Sequence, residues 1–175
     1  MKNYITQHVK HNGAKLRKLF INGLRDMLWA EKNLIKALPK LARAATSDDL
    51  KVVFEIHLTE TQQHINRLER VFRNIGEPAK TKKCTAMIGL INECSEIIES
   101  TEEYSSVRDW GLIFASQKVE HYEIASYGTL RTIANILRYS EVAELLQQTL
   151  DEEIQANTKL SDLADAYIYM EAVLD

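Results

Sequence analysis

The residues of this 175-residue chain best suited to chemistry are acidic side chains that interrupt apolar stripes. Glutamates occupy the three- and four-residue steps that bring side chains onto one face of a helix. In chain order they are Glu31, Glu60, Glu120, Glu123 and Glu153. One glutamate beside an apolar stripe normally reaches solvent from the edge of that stripe. Five on apolar faces favour a buried carboxylate cluster instead.

The glutamates also agree in height along the predicted helices. From a turn near residues 46–47, Glu31 and Glu60 lie roughly 15 and 14 residues away, and a helix rises about 1.5 Å per residue. From a second turn near residues 138–139, Glu123 and Glu153 each lie about 15 residues away. The glutamates of both helix pairs are therefore about equally far from their turns. All four long helices therefore present a carboxylate at nearly one level of the interior.

Carboxylates gathered at one level of a protein interior must be neutralised. Each buried charge costs free energy, and neighbouring like charges repel one another. Two divalent metal ions would supply the missing positive charge, and hard oxygen ligands suit iron or manganese. The pattern therefore predicts a site for two divalent metal ions, iron or manganese.

The elements that must position these glutamates are helices. Helical periodicity covers about residues 15–45, 50–76, 107–137 and 141–172, and a shorter amphipathic helix is expected at 86–99. Six glycines and two prolines leave few turn residues for a sandwich or barrel. Short turns join the long helices in pairs, whereas residues 77–105 make a long crossover. We predict an all-α, ferritin-like four-helix bundle of two antiparallel hairpins, with an additional short helix in the crossover; an up-down-up-down bundle is the alternative.

Composition sets the remaining expectations. A chain that is 45% apolar, with a net charge of −3, fits a single domain over residues 1–175, with a flexible arm at 1–14. The charge argues against a nucleic-acid partner, and the chain shows no apolar run of the roughly 20 residues that span a membrane. The start of the chain lacks the apolar stretch of a signal peptide, so a cytoplasmic location is expected. The apolar face at 86–99 favours a homodimer.

Four segments resemble a known family. They are LRDMLWAEKNLIKALPKLARAA (24–45), HLTETQQHINRLERVF (57–72), QKVEHYEIASYGTLR (117–131) and LLQQTLDEEIQANTKL (145–160). Over residues 16–164 the sequence resembles the YciF/YciE-like bacterial stress proteins of the ferritin-like superfamily. More distantly, the Glu120-x-x-Glu123 pair, followed by Glu153, is similar to the di-iron centre of rubrerythrins. The resemblance implies a stress association without an established reaction.

The rubrerythrin pattern implies a ligand set that this sequence matches in part. In that pattern the four successive helices carry Glu, Glu-x-x-His, Glu-x-x-Glu and Glu-x-x-His. The five glutamates named above match all of its glutamate positions. Gln63 and Ala156 stand at the histidine positions. His64 or His57 could replace the first histidine, and nothing replaces the second. The implied metal ligands are Glu31, Glu60, His64, Glu120, Glu123 and Glu153, with His57 as an alternative and with Glu120 and Glu153 as bridges.

Three residues near these ligands have two or more interpretations. Tyr127 follows Glu123 by one turn and either contacts the metal site or packs in the core. His121 lies roughly 100° around the helix from Glu120, so it either supports a ligand from behind or lies on the surface. His57 is a ligand, a hydrogen-bond donor to a ligand, or a core histidine.

These observations favour a stress-associated protein with a carboxylate-rich dimetal centre. Such a centre would oxidise ferrous iron with dioxygen or peroxide, or dismutate peroxide with manganese, as a ferroxidase- or peroxidase/catalase-like oxidoreductase. No rubredoxin-like tail is present, so an external electron donor is expected. The alternative is a non-catalytic stress or interaction protein that keeps the bundle without a working metal centre. Whether the protein is an enzyme therefore stays open at this point. Iron storage in a cage is a third hypothesis.

Overall fold

Five helices make up the part of the chain that the structure describes. In this computed structural model the backbone is described for residues 2–174 and the side chains for residues 13–166. The helices are α1 (Lys2–Ala44), α2 (Asp48–Asn74), α3 (Thr85–Ser100), α4 (Ser106–Ile136) and α5 (Ser140–Leu174). The described residues contain no strand. The all-α prediction is confirmed, and α3 is the short helix expected in the crossover.

The first helix begins earlier than the sequence pattern suggested. α1 starts at Lys2 rather than near Lys15. The arm predicted at residues 1–14 falls mostly on positions whose side chains lie outside the described part, so its flexibility stays a prediction. Pro39 lies inside α1 without ending it.

Contacts at the two ends of the bundle define how the helices run. The carboxylate of Asp109, at the start of α4, accepts hydrogen bonds from the backbone N–H groups of Thr46 (2.7 Å) and Ser47 (2.8 Å), in the α1–α2 turn. At the opposite end, Arg17 of α1 donates to the Tyr139 hydroxyl (3.2 Å), in the α4–α5 turn, and to the Ile75 carbonyl (3.2 Å) that follows α2. The crossover therefore runs the length of the bundle, and α2 and α4 run in the same direction.

The long helices form a four-sided bundle in which each packs against two others. α1 contacts α2 and α4, and α5 contacts α2 and α4, while α3 lies against α4 and α1. Because α2 and α4 are parallel, every neighbouring pair of long helices is antiparallel. This is the predicted arrangement of two hairpins with one long crossover.

Local sequence signals explain the ends of α2. Ser47 is the N-cap residue, and its side chain accepts from the backbone N–H of Leu50. The backbone N–H of the preceding residue, Thr46, donates a hydrogen bond to Asp109. Beyond the other end of α2, Gly76 has φ +69°, a left-handed conformation that glycine adopts without steric cost.

The hydrophobic core is divided into two clusters. One contains Phe20, Leu24, Leu68 and Phe72 together with residues from the facing halves of α4 and α5. The other contains Leu34, Leu41, Leu50, Phe54, Leu112 and Ile113 together with residues of α3. A layer of buried polar side chains lies between them: Glu31, for example, falls between Leu28 of the first cluster and Leu34 of the second.

Candidate metal centre

Every long helix contributes a buried ionisable residue to the polar layer. Glu31 comes from α1, His57 and His64 from α2, Glu120 and Glu123 from α4, and Glu153 from α5. None of these six residues is more than 4% exposed to solvent. Because unpaired buried charges are strongly unfavourable, this concentration requires neutralisation by protons or cations.

One group of potential ligands gathers around His57. It comprises His57, Glu120, Glu123 and Glu153, with one ligand atom from each lying within 4.8 Å of the others. His57 Nε2 is 3.4 Å from Glu120 Oε1 and 3.9 Å from Glu153 Oε2. Three carboxylates and an imidazole at this spacing form a donor set suited to iron or manganese.

A second group gathers around His64. It comprises Glu31, His64 and Glu153, again within 4.8 Å of one another. His64 Nδ1 lies 3.0 Å from Glu153 Oε1 and 3.6 Å from Glu31 Oε1. Glu153 belongs to both groups, which suits the bridging role expected of it, whereas Glu120 belongs only to the first group.

Unsatisfied polar atoms provide a test of whether these residues fit metal ions. Buried polar atoms in proteins almost always have hydrogen-bond partners. In the polar layer many have none among the described residues: Glu31 Oε2, Glu120 Oε2, both oxygens of Glu123 and Glu153, both ring nitrogens of His57, and His64 Nδ1. Such a concentration of unpaired carboxylate oxygens and imidazole nitrogens, from all four long helices, fits a pair of cations.

The charge balance points the same way. Four buried carboxylates, those of Glu31, Glu120, Glu123 and Glu153, carry the negative charge that two divalent cations would balance, leaving both histidines neutral. Without cations, the carboxyl groups and histidines of the layer must take up protons to balance its charge. Burial is the main cause that raises the pKa of Glu120, to about 8, and it also raises the pKa of Glu123. Burial lowers the pKa of His57, but the Glu120 carboxylate and its other acidic neighbours outweigh this effect and raise it to about 9.

His64 is oriented by a charged pair behind it. Its Nε2–H donates to Glu152 Oε2 at 2.8 Å. Arg67 holds the same carboxylate through two hydrogen bonds of 2.9 and 3.0 Å and also donates to Thr149 Oγ1 at 2.7 Å. A proton on Nε2 leaves the Nδ1 lone pair facing Glu31 and Glu153, which is the tautomer that a metal ligand needs.

Tyr127 contacts the polar layer directly. Its side chain is fully buried, and its hydroxyl donates a hydrogen bond to Glu31 Oε1. Burial, followed by the nearby Glu31 charge, raises the pKa of this phenol well above its ordinary value. Of its two interpretations, the structure therefore favours contact with the site over simple core packing.

Glu60 and His57 differ from the expected arrangement, and His121 takes the surface position, one of its two interpretations. Glu60 lies outside both groups: its Oε1 is 3.4 Å from Lys159 Nζ and its Oε2 is 3.5 Å from His57 Nδ1. His57 takes the place expected of Glu60.

His121 does not support a ligand: it is exposed, and its Nδ1 lies 2.7 Å from the Gln117 carbonyl, because α4 turns it away from the interior. Of the two residues at the histidine positions, Gln63 is exposed and Ala156 is buried.

The sequence pattern missed Glu152 and Arg67. Both lie beside predicted ligands, Glu152 directly before Glu153 and Arg67 one turn after His64. Each is partly exposed, so neither interrupts an apolar stripe and neither was distinguishable from an ordinary surface charge. The only signal in the sequence was the spacing, since Arg67 follows His64 by three positions and so shares its side of the helix.

Comparisons with known proteins identify relatives along most of the chain. The family described as "Domain of unknown function (DUF892)" matches residues 15–173. Protein YciF of Escherichia coli (strain K12) is 49% identical over 154 residues, which is 87% of this chain and 92% of YciF.

Solved structures agree with the fold. The crystal structure of the E. coli stress protein YciF has a TM-score of 0.85 at 48% identity, covering 88% of this chain and 97% of that one. YcfI from Rhodopseudomonas palustris has a TM-score of 0.81 at 40% identity, with 83% and 92% covered. A dodecameric thioferritin, the bacterioferritin-related protein of Bacteroides fragilis, has a TM-score of 0.69 at 18% identity, with 95% and 99% covered, and this likeness concerns the fold alone.

These matches confirm both the resemblance and the ferritin-like fold expected from the sequence. Within the described residues, no helix is both long and apolar enough to cross a membrane. The family match over residues 15–173 shows that the chain belongs to the DUF892 family, and it is related to YciF of E. coli.

Proposed function

We propose that this protein binds two divalent metal ions, iron or manganese, in the polar layer and uses them in oxidative stress chemistry. The observation that supports the proposal is the convergence of four carboxylates and two imidazoles from all four long helices, with most of their oxygen and nitrogen atoms unpaired. A bundle evolved only for stability would fill this level with apolar side chains, because replacing buried ion pairs by well-packed hydrophobic residues is often stabilising.

The two groups define which residues would hold each ion. His57, Glu120 and Glu123 would hold one, Glu31 and His64 the other, and Glu153 would be shared. This assignment keeps five of the six predicted ligands. His57, predicted as an alternative ligand, becomes a ligand, and Glu60 is not part of either group.

The residues around the ligands keep the site dry and hold its protons in place. Iron or manganese would supply one-electron redox chemistry toward dioxygen or peroxide. The apolar clusters above and below exclude water, which strengthens every electrostatic interaction within the layer. The Tyr127 hydroxyl donates a hydrogen bond to Glu31 Oε1, and Glu152 holds the His64 proton on Nε2.

The biological setting is proposed from a relative. The E. coli relative is described as a stress protein, and redox-active metal chemistry suits such a role. A homodimer, an external electron donor and a cytoplasmic location stay predictions from the sequence.

Metal analysis tests the proposal. Protein made in cells replete with iron and manganese should carry about two metal ions per chain, and Glu120→Gln with Glu153→Gln should lose most of them. Glu69→Gln, a change to a partly exposed glutamate of α2, is the control and should bind like the unmodified protein. Fewer than about 0.2 metal ions per chain, unchanged by the double substitution, would contradict a metal function, since coordinated sites normally bind tightly.

A non-catalytic role is the second candidate, and one observation favours it. The layer partly neutralises itself, because His64 lies between Glu31 and Glu153, and the pKa of His64 is raised by these carboxylates despite its burial. Ferroxidase and peroxide-consumption assays of metal-loaded protein distinguish the two candidates. Rates equal to those of the Glu120→Gln/Glu153→Gln protein with the same metal added would support the non-catalytic role.

A further inference from the structure

Glu60 is the predicted ligand that reaches toward solvent. Its side chain is 24% exposed, whereas that of His57 is 5% exposed and that of Glu153 is fully buried. Glu60 lies between α2 and α5, where its Oε1 is 3.4 Å from the ammonium of Lys159, a side chain that is itself 38% exposed. The carboxylate therefore stands at the boundary between the polar layer and the protein surface.

His57 connects Glu60 to the interior. Its Nδ1 faces Glu60 Oε2 at 3.5 Å, and its Nε2 faces Glu120 Oε1 at 3.4 Å. Neither ring nitrogen has a hydrogen-bond partner among the described residues, and Glu60 Oε2 has none either, although all three atoms are buried. One imidazole thus presents an unpaired nitrogen to the solvent side and another to the ligands of the first group.

Lys159 occupies the position where a cation would be attracted. An ammonium next to Glu60 neutralises its charge and repels an approaching metal ion. This ion pair is partly exposed, and such pairs are weak, so it can open at little cost. Lys159 can therefore exchange with a metal ion that arrives from solvent.

We propose that Glu60 and the Nδ1 side of His57 form an outer transit site, through which divalent cations pass into the dimetal centre. This inference rests on the proposed function, because it presupposes that the interior groups bind metal. A cation replaces Lys159 at Glu60 and exchanges water for the carboxylate and for Nδ1 of His57, whose ring proton is then on Nε2. It next moves to the ligands on the Nε2 side as that proton passes from Nε2 to Nδ1. Glu60 is a loading residue in this scheme, not a resident ligand.

Uptake kinetics of Co²⁺ by the full-length, chelator-treated protein test this route. Stopped-flow absorbance follows cobalt binding, and equilibrium titration gives its stoichiometry. Glu60→Gln should slow uptake by about tenfold or more, because the attracting charge at the mouth of the site is lost. Lys159→Met should accelerate uptake by about threefold or more, because the competing charge is removed. Both variants should keep the stoichiometry of the unmodified protein.

A second lysine offers a matched control. Lys32 lies 3.4 Å from Glu69, and both side chains are 39% exposed, but this pair lies between α1 and α2 and away from His57. Lys32→Met and Glu69→Gln should leave the rate of uptake unchanged. Lys159→Arg, which keeps the charge, should be as slow as the unmodified protein.

The possible results separate the two proposals. If the unmodified protein takes up no cobalt, manganese or iron, the proposed function fails. If it binds metal but the Glu60 and Lys159 variants load at the unmodified rate, only the transit site is wrong. If Glu60→Gln loses one bound ion at equilibrium, Glu60 is a resident ligand, and the transit role is overturned while the metal centre stands.

Discussion

Charge neutralisation decides the role of each residue in the polar layer. Four carboxylates facing two imidazoles are tolerable in a dry interior only with cations or bound protons. Residues just outside the layer then control the orientation of those within it. Glu152 is the clearest case: Arg67 holds it, and it holds His64. Hydrogen bonding to His64 is the main cause that lowers the pKa of Glu152, to about 2, which keeps it ionised.

Removing this support should weaken metal binding without removing a ligand. Glu152→Ala should reduce the metal affinity by about 10- to 100-fold, because the His64 ring loses its orientation and its fixed tautomer. Glu152→Gln should have a smaller effect, since the amide oxygen can still accept from Nε2–H. Competition titration against a chelator of known affinity measures both changes.

The neighbouring pair Arg70–Glu141 provides the control for this prediction. It joins the same helices, α2 and α5, at 2.7 Å, but both side chains are more than half exposed. Glu141→Ala should leave the metal affinity unchanged. Equal effects of Glu152→Ala and Glu141→Ala would show that Glu152 acts only through general stability or surface charge.

Among the elements, the junction between the α1–α2 turn and α4 fixes the height at which the glutamates meet. Asp109 is 2% exposed, and its two oxygens bind consecutive backbone N–H groups of the turn. Thr46 Oγ1 adds a hydrogen bond to the Ser105 carbonyl at 3.3 Å. These bonds hold the start of α4 level with the end of α1, so that Glu31 and Glu120 reach the same layer.

Asp109→Ala should therefore destabilise the protein strongly. Two partly buried N–H groups lose their carboxylate acceptor, and hydrogen bonds to charged groups contribute roughly 1.5–3 kcal/mol each, so we expect a loss of about 2–4 kcal/mol. Urea denaturation measures the change. Asp48→Ala, which removes the exposed Asp48–Lys51 pair and one acidic side chain from the first turn of α2, should cost about 1 kcal/mol or less. A loss of similar size in both variants would contradict the anchoring role of Asp109.

Over the whole molecule, the polar layer makes the stability of the metal-free protein depend on pH. The folded-state pKa values of Glu120 (about 8) and His57 (about 9) lie above those of the unfolded chain. Both groups therefore bind more protons in the folded than in the unfolded state, and their contributions are lost as pH rises through these values. The lowered pKa of Glu153 acts in the opposite direction, but only in acid, below the ordinary range of a carboxyl group.

The chelator-treated protein should accordingly lose stability between pH 6 and pH 9. We expect its melting temperature to fall by about 5 °C or more, which corresponds to roughly 2 kcal/mol for a chain of this size. Excess Mn²⁺ should raise the melting temperature and reduce the pH dependence, because bound cations keep the carboxylates ionised. A metal-free protein that becomes more stable over this range would contradict the assigned protonation of the layer.

The amino-acid sequence by itself determined the helices and the faces on which their acidic residues lie. The three- and four-residue steps that place Glu31, Glu120 and Glu153 on apolar faces predicted the bundle and most of the candidate ligands. Equal distances from the two turns predicted that these carboxylates meet at one level. These properties depend on local periodicity and on helix rise, which a single sequence displays.

Only the tertiary structure decided which atoms meet within the layer. Glu60 and His57 share one face of α2, and the sequence could not show that Lys159 of α5 would pair with Glu60 while His57 turned inward. Glu152 and Asp109 gained their roles in the same way, from partners 88 and at least 62 positions away. Helix rotation and the packing of side chains from different helices set such pairings, and neither follows from periodicity along one helix.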